Sequence, residues 1–130
     1  MMEAARDFNA YLQLTTQPNN EMYALANYNL GYIAFHRKDY TQASNYFQKY
    51  VQLEKGENAT ALADAYNRIG DCHLHVRNFE EAKQYYSQAE QMNTSSGDYS
   101  FYQLALVSGL QKDYTGKITL LNLSLIHISE

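Results

Sequence analysis

At 130 residues, 45% hydrophobic and with a formal net charge of -4, the chain has the make-up of one folded domain, which excludes collagen-like, mucin-like and disordered classes and leaves no basic footprint for nucleic acid. Thirteen tyrosines, no tryptophan and a single proline favour helices packed through large rings, and the lone Cys72 excludes an intrachain disulfide. No run approaches the roughly 20 apolar residues of a membrane span, and no charged start followed by an apolar leader occurs near Met1.

Taken in chain order, residues 1–16 read as the second helix of a repeat that begins upstream. Ala4, Phe8 and Tyr11 match Ala43, Phe47 and Tyr50, which follow 39 residues later. The polar breaker Gln17-Pro18-Asn19-Asn20 then opens a first complete unit over 20–56. In its first helix Tyr28, Tyr32 and Phe35 recur at i, i+4 and i+7, while Gly31 and Ala34 mark a neighbouring face small enough for another helix to approach. Lys38-Asp39 makes the turn, Asp39 with Gln42 fits a capping box, and Ala43, Phe47 and Tyr50 stripe the second helix.

After Gly56-Glu57-Asn58 the pattern returns over 58–93. Arg68-Ile69-Gly70 repeats Asn29-Leu30-Gly31, and Arg77-Asn78-Phe79-Glu80-Glu81-Ala82 repeats Lys38-Asp39-Tyr40-Thr41-Gln42-Ala43. Asn78 with Glu81 fits the second capping box, and Ala82, Tyr86 and Ala89 carry the stripe. A partial third unit spans 97–122 beyond the breaker Ser95-Ser96-Gly97-Asp98. Its turn is expected at Lys112-Asp113-Tyr114, weakened because Gly116 stands where the capping partner should be, with Ala105 and Lys117 replacing the glycine and the alanine. A single helical hairpin of this kind cannot bury both apolar faces, so neighbouring copies must stack.

Leu30-Gly31, Ala43 and Phe47 in one unit, and Tyr66, Ile69-Gly70, Ala82, Tyr86 and Ala89 in the next, resemble the tetratricopeptide repeat. The resemblance implies an all-α solenoid of helical hairpins wound as a right-handed superhelix, acting as a non-catalytic scaffold that binds other proteins. Tyr50 departs from the small residue usual at its place, the helix-ending proline is absent near Lys55 and Thr94, and 39 residues exceeds the usual unit of about 34. Asn67-Arg68-Ile69-Gly70-Asp71-Cys72 and Gly109-Leu110-Gln111-Lys112-Asp113-Tyr114 are also similar to multi-repeat proteins of bacterial envelopes, which favours a bacterial periplasm or cell envelope over the cytoplasm. Residues 123–130 resemble the in-frame translation of a sequencing adaptor, so the natural sequence is expected to end near Asn122, truncated at both ends.

By the same resemblance the partner-binding groove comprises Tyr28, Tyr32, Phe35 and His36 from the first unit, Asn67, Arg68, Asp71, Leu74 and His75 from the second, and Tyr99, Tyr102 and Gln103 from the third. Such an aromatic face suits an amphipathic helix or an extended peptide; the alternative is that the rings pack on one another. Only Arg68 is positive, which argues against a clamp for C-terminal carboxylates. Tyr32→Ala and Arg68→Ala are expected to weaken partner capture without unfolding the chain.

Cys72, His73, His75 and His36 raise a metal site, yet His73 and His75 lie about 200° apart around a helix and cannot share one ion. Asp64 and Asp71, seven apart on one helix face, are expected to be solvated acids. No nucleophile has a base and an orienter, and no cofactor is expected. The alternatives to a scaffold are a sensor or regulatory array within a larger signalling protein or enzyme, and a metal-dependent enzyme using Cys72 and the histidines. Stripes left bare at the end repeats, such as Phe8 with Tyr11 and Leu120 with Leu121, are expected to support self-association.

Overall fold

In a computed structural model the described residues are 21–54 and 56–129, with side chains described through Leu121; the helix expected over 1–16 lies outside them. Five α-helices follow one another: α1 (Glu21–His36), α2 (Tyr40–Leu53), α3 (Ala59–His75), α4 (Phe79–Gln91) and α5 (Gly97–Ser129). There is no strand among the described residues. Each helix packs on the next in sequence, and α3 additionally touches α5, which is the nearest-neighbour stacking of an all-α solenoid.

The seam within each hairpin is a ring lying on a backbone. A Cβ added at Gly31 would stand 2.8 Å from the Phe47 ring, and one at Gly70 would stand 2.7 Å from the Tyr86 ring. Glycine therefore sets the depth at which the second helix seats on the first. Phe47, Tyr86, Ala43 and Ala82 are fully buried there, each ring contributing roughly 2–3 kcal/mol through the apolar area it removes from water.

The turns differ from the capping boxes read in the sequence. Lys38 and Arg77 adopt left-handed backbone (φ 64° and 65°). The N–H of Asp39 donates to the carbonyl of Ala34 at 3.0 Å, and that of Asn78 to the carbonyl of His73 at 2.8 Å, the bonds of a Schellman ending. With those donors already engaged, Gln42 and Glu81 have no backbone N–H to accept. Half of the first box survives, Asp39 Oδ1 accepting from the N–H of Gln42 at 3.2 Å. Asn78 makes no side-chain cap bond; its Nδ2 lies 3.4 Å from His73 Nδ1 instead.

The third turn, expected at Lys112-Asp113-Tyr114, is absent: α5 runs straight through it. Folding back would require a ring to seat where Ala105 carries a Cβ, and would bury Lys117 at the place where Ala43 and Ala82 are 0% exposed. The helix instead buries Ser100 and Val107, with Leu104 and Leu110 partly covered, against Phe79, Ala82 and Tyr86. Phe101, Tyr102 and Leu106 are left open to solvent. Among the described residues no helix is long and apolar enough to cross a membrane.

Candidate functional site

Two carboxylates on α3 tie the first helices of the two hairpins, α1 and α3, to one another and to the long helix α5. The spacing of Asp64 and Asp71 places both on the same helix face. Tyr28 donates its hydroxyl to Asp64 Oδ2 at 2.6 Å, and Tyr32 donates to the same oxygen. The two rings meet edge to face with centroids 5.2 Å apart and both press on the buried Phe47 ring. Burial, reinforced by the adjoining carboxylate, pushes the Tyr32 hydroxyl up to about 12 and the Tyr28 hydroxyl still further in the same direction.

Asp71 is the second hub and is buried. Its Oδ1 accepts from Tyr86, from Tyr99 at 3.0 Å and from Gln103 Nε2 at 3.2 Å, while Oδ2 accepts from Tyr99 at 2.8 Å. Arg68 places one terminal nitrogen 2.8 Å from Asp71 Oδ2 and its Nε 3.6 Å from Asp64 Oδ1. The guanidinium carbon sits 4.8 Å from the centre of the Tyr99 ring and 6.0 Å from that of Phe35. Burial alone would lower the Arg68 pKa, but Asp71, Tyr99 and Asp64 outweigh it and the net direction is upward. One step away, Ser100 Oγ donates to the buried Asn67 Oδ1 at 2.8 Å.

Residues 22–95, more than half of the chain, match the family model of the tetratricopeptide repeat. The chain belongs to the tetratricopeptide repeat family. A search of curated proteins finds no match to it.

Within this repeat framework the expected groove residues separate into three groups. Tyr28, Tyr32, Arg68, Asp71, Tyr99 and Gln103 form, with Asp64, one connected network linking α1, α3 and α5. Asn67 and Leu74 serve the seams, Asn67 through Ser100 and Leu74 by packing beside Phe79 and Tyr86. Phe35, His36, His75 and Tyr102 lie outside the hydrogen-bond network: His75 stacks on Tyr40 with centroids 4.1 Å apart and planes 5° from parallel, Phe35 meets both rings edge-on, and Tyr102 is 77% exposed.

Two expectations change. Asp64 and Asp71 are not solvated acids but the acceptors around which the tyrosines are arranged. Arg68, with a side chain only 19% exposed, lies between the two carboxylates and pairs closely with the buried Asp71, so Arg68→Ala would disturb folding as well as any contact surface. Asp64 and Tyr86 belong to this network, and Tyr40 to the rings around His75, although the groove set implied by the resemblance omitted all three; the signal was Asp64 and Asp71 sharing a face opposite so many hydroxyls. As for metals, Cys72 is buried with its thiol pushed up to about 12 by burial, and His73 stacks on Tyr85 at 5.5 Å, well apart from the His75 stack. Among the described residues no group of three or more histidines, cysteines and acids is placed to hold a metal ion.

Proposed function

We infer that this chain is a non-catalytic scaffold that binds a peptide or helix of a partner protein along the α1–α3–α5 face. Tetratricopeptide repeats generally mediate protein–protein interaction and are typically non-catalytic, and membership of the family supplies that broad expectation. The observation that carries the finer reading is the network itself. The Tyr28 and Tyr32 rings of α1 and the Tyr99 ring of α5 are each held by a hydroxyl bond to a carboxylate of α3, Asp64 or Asp71, and Tyr99 and Tyr102 are exposed to solvent. A pre-set aromatic surface loses little side-chain entropy on contact, which favours binding.

The test is selection of displayed peptides against the purified chain, followed by affinity measurement on Tyr102→Ala and His75→Ala. Tyr102 and His75 are exposed, so shortening them is expected to leave folding intact. The expected result is roughly tenfold weaker binding for at least one variant, in the range of an aromatic contact residue. Peptides that bind both variants as tightly as the parent chain would overturn the assigned face.

A further inference from the structure

We propose that Asp64 receives a lysine or arginine side chain of the bound partner, so that the preferred ligand of this face is a cationic peptide with apolar flanks. This deepens the protein-binding reading above and rests on it.

The argument is one of unequal charge on an aromatic surface. Two carboxylates face a single guanidinium, and that guanidinium is closest to Asp71, at 2.8 Å. Asp64 uses Oδ2 for the hydroxyls of Tyr28 and Tyr32, while its Oδ1 has, among the described residues, only Arg68 Nε at 3.6 Å, a nitrogen without a hydrogen-bond partner there. The Asp64 side chain is 24% exposed, so a partner's ammonium or guanidinium can reach it. Tyrosine hydroxyls donate to a carboxylate without neutralising it, and a charge in this partly dry setting acts more strongly than one in water.

A second observation points the same way. The face already holds one cation of its own: Arg68 sits over the Tyr99 ring, near Phe35, with a carboxylate at its end. Tyr28 and Tyr32 present the same combination of rings and carboxylate around Asp64. A ligand cation there would complete an alternating row of Asp71, Arg68, Asp64 and the newcomer. The formal net charge of -4 adds a weak field of the same sense.

The experiment uses the intact chain and fluorescein-labelled nine-residue peptides with a central lysine, norleucine or glutamate between leucine, phenylalanine and alanine flanks. Lysine peptides are expected to bind about tenfold tighter than their norleucine counterparts, and glutamate peptides more weakly than either. The lysine preference should shrink between 50 mM and 500 mM salt, roughly the range over which screening becomes severe. Asp64→Asn is expected to erase the preference while Asp98→Asn keeps it. If Asp64→Asn does not fold, the lysine, norleucine and glutamate comparison on the unaltered chain still decides. Tight binding without lysine preference would overturn this proposal and leave the scaffold reading standing; no binding by any peptide would count against both.

Discussion

Gly31 and Gly70 occupy positions where a single methyl group has nowhere to go, since a Cβ added at either would stand closer than 3.0 Å to a fully buried ring. Gly70→Ala is therefore expected to cost about 1–3 kcal/mol in urea unfolding, the usual penalty of overpacking. Gly109→Ala should do the opposite, gaining about 0.5–1 kcal/mol, because a Cβ there meets nothing within 4 Å and glycine is a poor helix former. Asp71→Asn removes a buried charge from Arg68 and a strong acceptor from three donors, and a loss of roughly 3 kcal/mol is expected in the same assay. Little of this pairing was legible beforehand. The periodicity placed the tyrosines and aspartates on helix faces, but which hydroxyl meets which carboxylate depends on how neighbouring hairpins lie, and spacing along one chain does not encode that.

Helices were the most legible level. The recurrence of rings and small residues at i, i+4 and i+7 marks α1, α2 and α4, and the return of Asn29-Leu30-Gly31 as Arg68-Ile69-Gly70 marks α3, because each must bury one stripe against the next element. The helix ends were harder to read, since Lys38 and Arg77 hold left-handed positions where glycine would have announced the turn. Lys38→Gly or Arg77→Gly is expected to raise stability by about 1 kcal/mol, relieving that backbone strain, as measured by thermal melting. Capping gives a matched pair of outcomes. Asn58 Oδ1 accepts from the N–H of Ala61 at 3.0 Å, so Asn58→Ala should cost about 1 kcal/mol, whereas Asn78→Ala should cost less because no cap bond is lost. The missing third turn was signalled by Ala105 and Lys117, whose volume and charge oppose the returning helix, though Asp113 preserved the look of a turn.

At the scale of the molecule, hairpins hold one another both by dry seams and by hydroxyl bonds to Asp64 and Asp71, and the second kind depends on pH. Tyr32 and Tyr99 ionise near 12 in the folded chain, against about 10 when exposed, chiefly because burial disfavours the phenolate. Their contribution is complete below pH 10 and is lost as pH rises through 12. Tyrosinate absorbance and helix circular dichroism are therefore expected to change together in that window; ionisation of all thirteen tyrosines near pH 10 with helices intact would contradict it. His73 behaves conversely: burial lowers its pKa, so protonation as pH falls below about 6.5 favours the unfolded chain.

The single cysteine lies 2% exposed in the core formed by Phe47, Tyr50 and Ile69, with a thiol reluctant to ionise. A thiol-directed reagent is expected to label it far faster when adjacent hairpins part, because the reactive thiolate needs both access and water. The chain thus carries its own gauge of repeat opening, and the rate at which Cys72 is labelled, with and without a bound peptide, would clock how far a partner fastens the stack.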